Sequence, residues 1–129
     1  MRPCPLYDNG SSLCCYIMDS QIEQYFGRDS LKVNSLVDTK SRSIIRVNPY
    51  EKKQPRHSEV VRYLVRKYPY TKQKAEEILE KLTNELITDI LNQYPEDLLS
   101  ERRKALLSLF LSKKIELLGE ILDEVYDEK

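Results

Sequence analysis

The chain has 129 residues, of which 40% are hydrophobic and 33% charged, with only three glycines. That composition describes a folded domain rather than a disordered segment, and the length allows one hydrophobic core but not two ordinary domains. No run of 18 apolar residues occurs, which excludes a membrane span from the sequence. The odd cysteine count (Cys4, Cys14, Cys15) argues against a secreted disulfide scaffold. The first residues, Met1-Arg2-Pro3-Cys4-Pro5, lack the apolar core of a secretory signal, so a cytoplasmic or nuclear location is expected.

The zero net charge hides a division along the chain. Residues 51–74 hold eight basic and two acidic residues, whereas residues 75–129 hold seven basic and fourteen acidic ones. Such a pattern fits either charged partners or two halves that neutralise each other on folding.

Residues 1–12 read as irregular, with Pro3, Pro5 and the turn sequence Asp8-Asn9-Gly10. Leu13-Cys14-Cys15-Tyr16-Ile17-Met18 is a short apolar run whose composition leans towards a strand. Val33-Asn34-Ser35-Leu36-Val37 and Ser43-Ile44-Ile45-Arg46-Val47 flank a polar stretch and suggest a β-hairpin closed by Asn48-Pro49. A lone hairpin is marginal in water, so Val33, Leu36, Val37, Ile44, Ile45 and Val47 become candidate partner-binding positions.

From Ser58 onward the period is helical. Val60, Val61, Leu64 and Val65 share one face of a helix capped by Ser58. Tyr68-Pro69-Tyr70 breaks it, and Thr71 is the expected cap of a second helix with Ala75, Ile78, Leu79 and Leu82 inward. A short helix over 85–92 follows the Thr83-Asn84 cap, Pro95 interrupts, and Ser100 caps a fourth helix carrying Ala105, Leu106, Leu109 and Phe110. A fifth carries Ile115, Leu118, Ile121, Leu122 and Val125. The expected fold is therefore α+β and mainly α: an N-terminal hairpin arm (1–50), a basic linker (51–57) and a compact bundle of about five helices (58–129).

Few residues suggest catalysis. His57 is the single histidine and sits at a helix entrance, and no glycine-rich phosphate loop exists. The spacing Cys4-x9-Cys14-Cys15 lacks the paired CxxC pattern of a zinc site, so no metal and no cofactor is expected. The basic belt is the better candidate for molecular contact. Lys52, Lys53, Arg56, Arg62, Arg66, Lys67, Lys72 and Lys74 interleave with Tyr50, Tyr63, Tyr68 and Tyr70, and basic side chains contact phosphates while tyrosines stack on bases.

Val60-Val61-Arg62-Tyr63-Leu64, Lys74-Ala75-Glu76-Glu77-Ile78-Leu79-Glu80-Lys81-Leu82, Leu91-Asn92-Gln93-Tyr94-Pro95-Glu96 and Glu120-Ile121-Leu122-Asp123-Glu124-Val125 together resemble the small stalk subunit of archaeal and eukaryotic RNA polymerases, over residues 58–126. The resemblance implies a helical domain of the HRDC-like type, no catalysis, a role in transcription, and the larger stalk subunit as protein partner. Two other readings stand beside it. One is a DNA-binding protein using residues 58–82 as a helix-turn-helix with the hairpin as wing, where Lys72, Gln73 and Lys74 start the recognition helix. The other is an accessory subunit of a replication or defence complex.

Overall fold

A computed structural model describes residues 13–27 and 31–128. The described chain is mainly helical. A 3-10 helix (Asp19–Tyr25) is followed by a single α-turn, α1 (Leu31–Asn34), which runs into a π-helical turn (Ser35–Thr39). Four longer helices come next: α2 (His57–Lys67), α3 (Pro69–Lys81), α4 (Asn84–Asn92) and α5 (Glu101–Asp127).

Helix α5 is the spine. Its 27 residues span about 40 Å at 1.5 Å per residue. Near its C-terminal end Leu122 is buried with Val65 of α2 and Ala75 of α3. Towards its N-terminal end Leu107 is buried with Ile87 and Leu91 of α4, and Leu106 with Ile17 and Ile22 of the N-terminal segment. Leu106 is only 1% exposed, and burying a leucine so fully contributes about 2 kcal/mol. Helices α3 and α4 are successive segments along the same spine, hinged at Leu82 and Thr83. The hinge is held to α5 where Ser112 Oγ donates to Asn84 Oδ1 at 2.8 Å.

Local chemistry sets the breaks. Pro69 takes the first position of α3, where its missing N–H costs nothing, and it keeps Tyr68 extended at φ −126°, ψ 90°. Thr83 caps α4 by accepting from the Leu86 N–H at 3.1 Å, and Ser100 caps α5 by accepting from the Arg103 N–H at 3.3 Å. Two other expected caps have different roles. Ser58 lies buried inside the first turn of α2, whose cap position is Arg56, with Glu59 accepting from the Arg56 N–H at 2.7 Å. Thr71 lies inside α3 and donates to the carbonyls of Leu64 and Tyr68.

Three expectations are corrected. No β-hairpin forms over 33–47, and the described residues contain no strand. Val33, Leu36 and Val37 fall at i, i+3 and i+4, a helical rather than an alternating spacing, and α1 with the π-turn buries Val33 and Val37. Ile44 and Ile45 then have no neighbouring strand, and both are exposed. The run 13–18 is a turn rather than a strand, with Leu13 and Cys14 in the left-handed region at φ 54° and 62°. The fourth and fifth expected helices are one, because residues 101–127 contain no proline and the lone Gly119 does not break the helix. The region after residue 57 thus has four helices instead of five.

Candidate partner-binding surface

Residues 42–56 form a loop closed at its neck. Arg42 and Arg56 make an isolated antiparallel bridge, the Ser43 N–H donates to the Pro55 carbonyl at 2.9 Å, and the His57 N–H donates to the Ser41 carbonyl at 2.9 Å. The neck is tied to the body through Asp38. Its carboxylate accepts from Ser58 Oγ at 2.6 Å and from Arg56 Nη1 at 3.0 Å. Burial pushes the Asp38 carboxyl up, but the Ser58 hydrogen bond and the Arg56 guanidinium outweigh it and hold the group below its ordinary value.

Within the loop two arginines act as braces. Arg42 Nη1 donates to the Gln54 carbonyl at 3.0 Å, and Arg46 Nη1 donates to the carbonyls of Glu51 at 2.5 Å and Lys52 at 3.2 Å. Asn48 Oδ1 accepts from the Tyr50 N–H at 3.0 Å, a side chain standing in for a turn of backbone. The loop therefore has internal order without an apolar core of its own. Its large apolar side chains point outward: Ile44 is 85% exposed, Ile45 61% and Tyr50 92%. Val47 lies beside α2, lining a groove of about 690 Å³ with Glu59, Arg62, Tyr63, Arg66 and Lys67.

The basic belt is divided by the fold. Arg62 Nε and Nη2 donate to Glu124 at 2.8 and 3.1 Å, and Arg66 is paired in the same two-pronged way with Glu128. The Arg62 guanidinium holds the Glu124 carboxyl below the usual carboxylate range. Lys72 stands 3.1 Å from the centre of the Tyr126 ring, whose hydroxyl donates to Glu76. Lys74 pairs with Glu77 at 3.0 Å, Arg56 with Asp38, and Lys67 donates to the Tyr63 hydroxyl at 2.6 Å. Of the eight belt cations, the acidic end of α5 therefore pairs with two, Arg62 and Arg66, and Asp38 and Glu77 pair with two more. Among the described residues, the Lys52 and Lys53 side chains form no ion pair.

Of the six partner positions expected from sequence, Ile44 and Ile45 are open to solvent and Val47 is half-buried at the groove. Val33 and Val37 are buried, and Leu36 packs against the cluster of Ile17, Ile22 and Leu106. Sequence reasoning missed Asp38, Arg42 and Arg46 as the residues that shape the loop. It also missed Arg103, which gathers the N-terminal turn by donating to Asp19 Oδ1 at 2.7 Å and to the carbonyls of Ile17 at 2.5 Å and Cys14 at 3.3 Å. Local sequence carries no signal for these contacts, since the partners of Arg103 lie more than eighty positions away.

Cys14 is half-buried, and desolvation pushes its thiol up to about 11. Among the described residues no group of three or more His, Cys, Asp or Glu side chains could hold a metal, and Cys4 lies outside them. No described helix is long and apolar enough to cross a membrane. No family model matches the chain, and no curated protein or solved structure is similar enough to count as a match.

Proposed function

We propose that the chain is a non-catalytic subunit of a larger complex, docking through the loop 42–56 onto an apolar protein surface rimmed by acidic side chains. One observation carries this reading: the loop is held in shape by its own hydrogen bonds yet turns Ile44, Ile45 and Tyr50 to solvent. A segment ordered before binding loses little conformational freedom on docking, so more of its contact energy appears as affinity. Lys52 and Lys53, exposed in the same loop, favour an acidic rim on the partner. Non-catalytic action is supported by a Cys14 thiol held protonated at neutral pH and by a lone exposed His57.

The narrower form of the proposal is a transcription complex working in the cytoplasm or nucleus, with a larger RNA polymerase stalk subunit as partner. Its support is the resemblance over residues 58–126. Direct nucleic-acid contact has less support, because Arg56, Arg62, Arg66 and Lys74 already have carboxylate partners and a hairpin wing is missing. A photo-crosslinking residue placed at position 50 and activated in the native cells tests the docking. One protein crosslinked in good yield is the expected product, and a polymerase stalk subunit would establish the narrower form. Crosslinks only to nucleic acid, or none, would overturn the proposal.

A further inference from the structure

Between α4 and the first turns of α5 lies a small cavity of about 230 Å³, its wall formed by Thr88, Leu91 and Asn92 of one helix and Glu101, Lys104 and Ser108 of the other. The wall includes a buried charge. Lys104 is only 8% exposed, and a lysine is almost never buried so fully unless it is paired. Its one ionic partner among the described residues is Glu101, a turn earlier on the same helix, with Oε1 3.3 Å from Nζ. The Glu101 side chain is 71% exposed, and an ion pair so open to water on one side is weak.

Much of the hydrogen-bonding capacity around the cavity is unused. An ammonium has three N–H donors, and Lys104 uses one of them on a described residue. The Ser108 hydroxyl and the Asn92 amide form no side-chain hydrogen bond with a described residue. The Thr88 hydroxyl donates to the Asn84 carbonyl at 2.9 Å, which leaves its lone pairs free to accept. A lysine near the last residue of α4 is well placed against the negative end of that helix. That role alone does not account for a polar cavity beside it with spare donors and acceptors.

The charges select the ligand. Lys104 and Glu101 together leave the wall without net charge. A lone anion would gain from Lys104 and lose to Glu101, and a lone cation the reverse, whereas a molecule with both charges gains from each. The volume matches about seven water molecules at ~30 Å³ each, so the ligand has a similar number of non-hydrogen atoms. We propose that this cavity binds a small α-amino acid such as glycine, alanine or serine, with its carboxylate on Lys104 and its ammonium on Glu101. Ser108 and Asn92 supply further donors to the carboxylate, and the Thr88 oxygen accepts from the ammonium. The site shares no residue with the loop 42–56, so it stands or falls apart from the docking proposed above.

Amide NMR spectra of the full-length chain, titrated separately with glycine, L-alanine and L-serine, test the proposal. At least one of the three should shift the amide signals of Thr88, Asn92 and Ser108 saturably. Sodium acetate and methylammonium chloride, each carrying one of the two charges, should bind at least roughly tenfold more weakly. Glu101→Gln and Lys104→Met should each weaken amino-acid binding by roughly tenfold or more, since each removes a charge-assisted hydrogen bond. Circular dichroism checks that Lys104→Met is folded. Glu101→Gln changes an exposed side chain and decides the matter if the buried substitution unfolds the chain. No saturable shift with any of the three amino acids, equal binding of acetate, or full affinity in Glu101→Gln would each overturn the proposal.

Discussion

Removing the acidic mask from the belt should turn the chain into a nucleic-acid binder. Glu124→Gln with Glu128→Gln takes away the carboxylates that engage Arg62 and Arg66, raises the net charge by two, and leaves both guanidiniums on the open face of α2. Each arginine that goes on to neutralise a phosphate releases a counterion and steepens the salt dependence of log K by about 0.9. Two should steepen it by about 1.8, equivalent to roughly a further tenfold loss of affinity between 50 and 200 mM salt. Fluorescence anisotropy of a labelled DNA duplex, titrated with each protein at several salt concentrations, reads both quantities. The wild type should bind weakly with a shallow slope and the double variant more tightly with a steeper one. Adding Arg62→Ala and Arg66→Ala to the double variant should abolish the gain. Equal slopes for wild type and double variant would refute the idea that the two glutamates mask the belt.

Three further outcomes follow from particular contacts. Arg103→Ala should cost about 2 kcal/mol in urea denaturation, because it leaves the Ile17 carbonyl without its donor and breaks the pair with Asp19, the Cys14 carbonyl keeping the Ile17 N–H, and Arg103→Lys should recover less than half of this. A loss below about 0.5 kcal/mol would mean that the N-terminal turn holds its place without Arg103. Asp38 has a folded pKa below its ordinary 3.8, so its stabilising effect is complete above that value and disappears as pH falls through the lowered one. The stability gap between wild type and Asp38→Asn should therefore close between about pH 5 and pH 2, and a gap independent of pH would contradict the assignment. Gly119 lies inside α5, and a Cβ there would meet no atom within 4 Å, so Gly119→Ala should raise stability by about 0.5–1 kcal/mol in thermal melts.

The helical half was legible because its signals are local. The stripe of α2, the Thr83 and Ser100 caps and the Tyr68-Pro69 break can all be read within a few residues, whereas Ile78, expected inward on α3, is 49% exposed. The N-terminal half was not, because β-branched composition at 33–47 suggested strands where the i, i+3, i+4 spacing of Val33, Leu36 and Val37 already favoured a helix. The break expected between the helix carrying Phe110 and the one carrying Ile115 does not occur, since nothing between them interrupts a helix. The candidate surface was half legible. Ile44, Ile45, Lys52 and Lys53 were identifiable as residues, but the loop that presents them depends on Asp38 and Arg46, whose partners no local pattern reveals. The pairing of Arg62 and Arg66 with Glu124 and Glu128 spans 62 residues. Charge blocks alone fitted both a binding belt and an internal neutralisation, and for these two arginines the fold shows the second.

The most direct test of the docking proposal compares two tagged chains, wild type and Ile44→Asp with Ile45→Asp, as baits from the native cells at moderate salt. Both isoleucines are exposed, so the variant should fold as the wild type does. The account predicts one protein recovered in equal amount with the wild type and lost with the variant. Equal recovery by both baits, or none by either, would contradict it.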